Sequence, residues 1–180
     1  MPAETIIIRE ALPSDLPAIL EIYNDAIFNT SSLYQYRPHT LEMRKAWFDK
    51  KQEEKFPVLV AESNNIVVGF GTYGPFRIFP GYRYTVEHSL YIHPEHRGKG
   101  AGKRMLQALV ARAAHEEYHT LVAGIDAENE VSIKLHSDMG FKQTAYMPEV
   151  AFKFGRWRNL IFMQLILATP AHPTEPTSEP

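Results

Sequence analysis

The stretch Thr85 to Ala114, TVEHSLYIHPEHRGKGAGKRMLQALVARAA, decides the fold, because an apolar strand-like run empties into a glycine-rich turn that opens an amphipathic helix. Gly98, Gly100 and Gly102 let the backbone approach a ligand and take positive φ. Beyond them, the first helical turn offers amide hydrogens without intrahelical partners, together with the positive end of the helix dipole. Arg97, Lys99, Lys103 and Arg104 add positive charge around the same turn. A pyrophosphate is the natural occupant, held by the backbone from Arg97 through Gly98, Ala101 and Lys103.

The spacing narrows which pyrophosphate. R-G-K-G-A-G is not G-x-x-x-x-G-K-[ST], nor does it sit early in a βαβ unit with an acidic residue about 20 positions later, so P-loop and Rossmann readings fit poorly. It does fit R-x-x-G-x-G, with Arg97, Gly100 and Gly102 in the fixed places, and this resembles the acetyl-CoA signature of the GNAT superfamily of N-acetyltransferases. An ordinary glycine-rich surface turn is the competing explanation.

Outward from this stretch, the elements alternate. Thr5 to Glu10 reads as a strand, and Ser14 to Ile27 as a helix with Leu16, Ile19, Leu20, Tyr23 and Ile27 on one face. A second helix is expected from Thr40, a good N-cap, to about Lys51. Pro57 to Ser63 and Ile66 to Tyr73 flank Asn64 and Asn65, a strong two-residue hairpin signal. A strand ending near Ile92 leads to a helix over Gly102 to Glu117, striped by Met105, Leu106, Leu109, Val110 and Ala113. Leu121 to Ile125 reads as a buried strand, Glu130 to Met139 as a short helix, and Phe141 to Val150 and Asn159 to Leu167 as two last strands. The predicted class is α/β (α+β), in the order β-α-α-β-β-β-α-β-α-β-β.

Composition agrees with one catalytic domain. The 180 residues are 44% hydrophobic and 22% charged with net charge -2, which is globular and gives no reason to invoke nucleic acid. The absence of cysteine excludes disulfides, thiolate metal sites and a cysteine nucleophile. His88, His93 and His96 form no convincing ligand pattern, so no metal is expected. No apolar stretch approaches the roughly 20 residues that span a bilayer, and the N-terminus lacks a basic leader region. A cytoplasmic protein is expected, with one domain over residues 1–167 and a disordered, proline-rich tail over 168–180.

A second motif strengthens the resemblance. Asn129, Ser132, Leu135, His136, Gly140 and Phe141 look like the N-x-x-[SA]-x-x-[LF]-[YH]-x-x-x-G-F segment of the same superfamily, about 30 residues after the first motif. YGPFR, GYRYTVEHSLYI and KFGRW are similar to the branch containing phosphinothricin, methionine sulfoximine and methionine sulfone acetyltransferases. The resemblance implies the GNAT fold, a central mixed and mostly antiparallel sheet flanked by helices. It implies acetyl-CoA as donor, with Leu90, Tyr91 and Ile92 pairing to the pantetheine amides as an added strand would. It also implies that Asn129 meets the pantetheine arm, which stands beside its simpler reading as an N-cap.

The chemistry follows from the residues. Moving an acetyl group from thioester to amine needs a neutral amine, a route for its proton and stabilisation of the departing thiolate. An α-amine, with a reference pKa of about 8, is mostly protonated at neutral pH. Glu87, in the central strand just ahead of the pyrophosphate turn, is the candidate acceptor of that proton. Strict alternation puts Glu87, Ser89 and Tyr91 on one face and Val86, His88, Leu90 and Ile92 on the other, so Glu87 and His88 share the cleft only if a bulge intervenes. The branch resembles this chain in placing a histidine at His136, either as proton donor to sulfur or as base toward the amine.

For the acceptor, the loop Gly74 to Glu87 is rich in aromatics and carries Arg77 and Arg83, suited to hold a carboxylate. Tyr82, Tyr84 and Phe28 are candidate walls, with Leu33 to Thr40 as another. Phe154, Arg156, Trp157 and Arg158 lie where related enzymes make subunit contacts, which implies a homodimer. The leading expectation is an N-acetyltransferase for a small amino acid of the methionine sulfoximine, methionine sulfone or phosphinothricin type. A protein or peptide N-acetyltransferase and a non-catalytic acyl-CoA sensor are the alternatives.

Overall fold

Asn64 and Asn65 both take positive φ, 50° and 60°, and so close the tight hairpin that joins β2 (Val58–Ser63) to β3 (Ile66–Pro75). Around that hairpin the computed structural model, which describes residues 5–175, builds one seven-stranded sheet. The other strands are β1 (Ile6–Glu10), β4 (Thr85–Ile92), β5 (Thr120–Asp126), β6 (Lys142–Lys153) and β7 (Arg156–Ile166). The helices are α1 (Leu16–Asn29), α2 (Leu41–Glu53), α3 (Ala101–His115) and α4 (Glu130–Asp138). Their order along the chain is the expected one. Across the sheet the strands run β1-β2-β3-β4-β5-β7-β6, all antiparallel except the β4–β5 pair.

The amphipathic stripes place the helices. Met105, Leu106, Leu109 and Ala113 of α3 are buried with Val68, Val86, Leu121 and Ala123 of the sheet. On the other face Leu16, Ile19 and Ile22 of α1 and Phe48 of α2 bury against Val58, Val60 and Phe70. A 3-10 turn, Pro13–Asp15, precedes α1. Ile22 and Ala26 complete the α1 stripe, while Leu20 and Tyr23 sit only half-buried at its edge. Thr40 caps α2 as expected, its Oγ1 accepting from the Met43 amide.

Two regions differ from the sequence expectation. β6 and β7 run several residues further toward each other and meet at a Phe154-Gly155 turn with φ of 53° and 74°. A register shift between Met147 and Ala151 absorbs Pro148, which cannot donate to a ladder, and pairing then resumes. The tail was expected to be disordered, yet residues 168–175, though neither helix nor strand, are held by polar contacts. Thr169 Oγ1 donates to the Tyr118 carbonyl at 2.7 Å, and Arg83 Nη2 donates to Thr174 Oγ1 at 2.7 Å. The rest of that expectation, residues 176–180, lies outside the described residues.

The junction of β4 and β5 positions everything that follows. Only Thr85, Val86 and Glu87 pair with β5, at Thr120, Leu121 and Val122. Beyond Glu87 the two parallel strands part, while β4 stays in unbroken register with β3 from Val86 to Ile92. There is therefore no bulge in β4, and strict alternation holds. Tyr91 packs with Tyr23 and Phe70 on the α1–α2 face, whereas His88 stacks on His136 on the α3–α4 face.

Candidate active site

The parted strands open a cavity of about 730 Å³. Leu90, Tyr91 and Ile92 line one wall, Gly124, Asn129 and Ser132 the opposite one, and Arg97, Gly98 and Gly102 the far end. Gly98 and Gly100 take φ of 74° and 90°, which L side chains rarely adopt, so these glycines serve the turn's conformation. Arg97 donates from Nε to the Ile92 carbonyl at 3.1 Å and pairs with Asp25 at 3.5 Å, bracing the turn against the end of β4. Arg104 leaves the group it was expected to join: its Nη1 donates to the Ile6 carbonyl at 2.9 Å. Asn129 is the cap of α4, its Oδ1 accepting from Ser132 N–H at 3.1 Å. Its amide also reaches Ser32 Oγ, 3.4 Å away on the opposite lip.

His136 and His88 both line this cavity and are nearly closed off, 3% and 6% exposed. His136 Nδ1 lies 2.7 Å from the Ser132 carbonyl, which can only accept, so Nδ1 carries the hydrogen. Its Nε2 is then an acceptor, and His88 Nε2, 3.3 Å away, must donate to it. The rings stack at 5.1 Å and 17°, with Phe141 edge-on to both. That leaves His88 Nδ1 buried without a partner. Burial lowers both pKa values; the Ser132 carbonyl opposes it for His136, while the neighbouring ring reinforces it for His88, pushed down to about 3. The pair is thus neutral at neutral pH. His88 was not expected as a partner of His136, although the alternation had already turned it away from Glu87.

A pH dependence follows. With folded pKa values below the ordinary histidine value of about 6.5, the pair's stability contribution is complete above that pH and is lost as pH falls toward 3. By proton NMR His88 should stay untitrated through the roughly pH 5.5–8 range of an ordinary histidine, and the His136 midpoint should fall below the ordinary value of about 6.5. A normal titration of either would show that the pair does not form.

Glu87 stands on the other face, at the fork of the strands. A Cβ added to Gly124 would lie 3.1 Å from Glu87 Oε1, so the carboxylate reaches across the fork toward β5. The surrounding protein raises its pKa, and the Arg77 charge partly opposes that. The side chain nevertheless remains open to solvent at the mouth. Phe76 meets Phe162 at 6.3 Å and Tyr82 at 5.9 Å, both edge-on, and the Arg77 guanidinium lies 4.9 Å over the Phe76 ring. An aromatic floor with one cation thus adjoins Glu87. Phe162 and Gly124 carried no signal in the sequence beyond ordinary strand residues.

The other candidates for the acceptor fall elsewhere. Arg83 and Tyr84 bond to each other and to Thr174 of the tail, so the structure turns them outward. Phe28 is exposed on the last turn of α1 and does not line the cavity. The segment Leu33 to Thr40, expected as another wall, lines neither this cavity nor the smaller hollow beside α2; Ser31 and Ser32 just before it stand on the lip instead, and the segment is anchored by contacts no motif announced. Lys153, buried in β6, donates to the Ile27 and Thr30 carbonyls at 2.7 and 2.8 Å and also to that of Leu33. Tyr34 donates to Asp126 at 3.0 Å. Asp126 in turn receives both Nε and Nη2 of Arg158, at 2.8 and 2.9 Å. Arg158, expected at a subunit contact, is therefore buried within its own subunit. Arg156 pairs with Glu128, and Phe154 and Trp157 remain 57% and 59% exposed.

A parallel fork in a mixed sheet, a glycine turn at the head of α3 and a carboxylate at the fork fit an acyl-CoA-dependent transferase. A sequence model described as the acetyltransferase (GNAT) family matches residues 16–141. An L-methionine sulfoximine/L-methionine sulfone acetyltransferase of Salmonella typhimurium is 46% identical over 92% of this chain and 97% of its own. A phosphinothricin N-acetyltransferase of Alcaligenes faecalis is 36% identical over 87% and 80%. Among solved structures, a Salmonella typhimurium acetyltransferase with its cofactor acetyl-CoA is 44% identical with a TM-score of 0.90, over 96% of this chain and 99% of that one. The chain belongs to the GNAT family and is an N-acetyltransferase that takes acetyl-CoA as donor. Among the described residues no helix is long and apolar enough to cross a membrane.

Proposed function

We propose that the acceptor is the α-amine of a small amino acid of the methionine sulfoximine, methionine sulfone or phosphinothricin type. The observation that carries this reading is the placing of Glu87 at the fork, its carboxylate reaching toward Gly124, beside Arg77 and the Phe76–Phe162 floor. Glu87 takes a proton from the ammonium, and the free amine attacks the thioester carbonyl. A C–N bond forms, the C–S bond breaks, and the second proton shed by the attacking nitrogen passes through water to the departing thiolate. The backbone of Leu90, Tyr91 and Ile92 holds the pantetheine arm, the turn from Arg97 to Lys103 holds the pyrophosphate, and Asn129 and Ser132 close the far wall. His136 faces the sulfur end; with its Nδ1–H given to the Ser132 carbonyl and its Nε2 accepting from His88, the neutral pair shapes that end while the proton for the thiolate comes through water. Arg77 receives the acceptor's carboxylate, with Tyr82 at the rim.

Identity of 46% to the Salmonella enzyme over nearly its full length supports this choice of acceptor. We further propose a homodimer built on the exposed hairpin residues Phe152, Phe154 and Trp157, working in the cytoplasm, where acetylation of a toxic analogue would confer resistance. The test is acetyl-CoA-dependent thiol release across sulfoximine, sulfone and phosphinothricin acceptors, ordinary amino acids, polyamines and short peptides. Saturable release with the first three supports the reading. Release with peptides alone assigns the protein to peptide acetylation, and donor binding without release assigns it to sensing.

A further inference from the structure

A second hollow, of about 390 Å³, lies on the α2 side of Glu87. Trp47, Lys51, Thr72, Tyr73 and Gly74 form it, and Glu87 itself lines it. His88 and Ser89 line both this hollow and the donor cavity, so the two spaces adjoin along β4. We propose that this hollow is the subsite for the side-chain head of the acceptor, with Lys51 Nζ recognising an oxygen bonded to tetrahedral sulfur or phosphorus. The proposal rests on the small-amino-acid reading above and names the residue that reads the substrate's far end.

Lys51 is an unusual lysine. It lies in the last turn of α2, where a cation suits the helix dipole from solvent, yet its side chain turns inward toward β3. Its ammonium donates to the Tyr73 carbonyl at 2.7 Å and lies 5.1 Å from the Phe56 ring centroid. An ammonium has three hydrogens, so one neutral carbonyl leaves two for the hollow. Burial lowers its pKa, and the more distant charge of Glu54 only partly offsets this. Half-burying a cation against a carbonyl costs free energy that an anionic or strongly dipolar ligand oxygen would return.

The neighbours fit such a ligand. A Cβ on Gly74 would come within 2.8 Å of Lys51 Nζ, so the glycine is what lets the ammonium reach this position. Thr72 Oγ1 donates its hydrogen to the Pro57 carbonyl at 2.7 Å and presents lone pairs rather than a donor, which leaves the recognition to Lys51. Trp47 supplies a flat apolar wall for an S-methyl or P-methyl group. The division of labour with Arg77 follows from shape. A planar guanidinium fork matches a carboxylate, whereas a compact ammonium suits a single oxygen on a tetrahedral centre.

The experiment is steady-state kinetics of wild type, Lys51→Gln, Lys51→Met and Lys51→Arg. The acceptors are methionine sulfone, methionine sulfoximine, phosphinothricin and methionine, the last lacking a head oxygen. The two neutral variants should lose roughly 10- to 100-fold in kcat/KM on the three oxygen-bearing acceptors, mainly through KM, the usual effect of removing a charged hydrogen bond. Methionine should change less than about twofold, and Lys51→Arg should keep the wild-type preference, an outcome no general loss of structure would give. Equal losses on methionine and the sulfone, or no loss on either, would overturn the subsite. So would a wild type that does not prefer the sulfone to methionine, whatever the variants do. If wild type turns over only peptides or polyamines, the amino-acid reading fails first and the subsite with it.

Discussion

Glu87→Gln should reduce kcat by roughly 10²- to 10⁴-fold, the usual range for removing a general base, while acetyl-CoA binds as before. Glutamine keeps the size of the side chain at the fork but cannot accept a proton from the ammonium. The sign of the pH effect is fixed by the direction of the shift. Because burial raises the Glu87 carboxyl, the active carboxylate is lost at a higher pH than an ordinary glutamate would be, and kcat falls on the acid side. That acid limb should vanish in the glutamine variant, leaving only the dependence due to the amine. Calorimetric titration with acetyl-CoA separates the two effects, since the pyrophosphate turn and the α3 terminus are unchanged. A glutamine variant with wild-type turnover would remove Glu87 from the mechanism.

Asp126→Ala should destabilise the fold by about 3–5 kcal/mol, the range for removing one partner of a buried ion pair. The Arg158 side chain is only 4% exposed, and both bonds it gives Asp126 would be lost. One contact to the exposed Glu128, at 3.2 Å, would remain. Burial alone would raise the Asp126 pKa, but Arg158, the Glu128 amide and Tyr34 together hold it below its ordinary value. Its contribution is therefore complete above the ordinary aspartate pKa of about 4 and is lost as pH falls below it. Urea unfolding at neutral pH reads the loss directly, and a change under about 1 kcal/mol would mean that Glu128 takes over the guanidinium. Tyr34 would lose its acceptor at the same time, loosening the segment between α1 and α2 even in molecules that stay folded.

The turns and helix starts around the proposed donor site were legible because backbone chemistry writes itself into local sequence. Glycines 98 and 100 are needed for positive φ, Asn64 and Asn65 for the hairpin, and Thr40 and Asn129 for helix starts. The proposed acceptor side was not, because its residues come together only through register. Gly124 faces Glu87 across the fork because Glu87 pairs with Val122, and Phe162 joins them because it stands opposite Gly124 in β7. Arg77 and Arg83 looked equivalent in one loop, yet one lies near Glu87 and the other is tied to Thr174. Lys51 gave no sign at all, since a lysine in the last turn of a helix ordinarily points to water.

The fork between β4 and β5 also bears on how long the protein survives. Three rungs join these strands, and from His88 to Ile92 the β4 edge facing the cavity pairs with no strand. If, as proposed, the pantetheine arm pairs with this edge, bound acetyl-CoA completes the molecule as well as serving the reaction. At a hundred times its dissociation constant, a ligand specific for the folded state adds about 2.7 kcal/mol. Resistance to proteolysis would then rise and fall with the acetyl-CoA pool, tying the enzyme's lifetime to the supply of the group it spends.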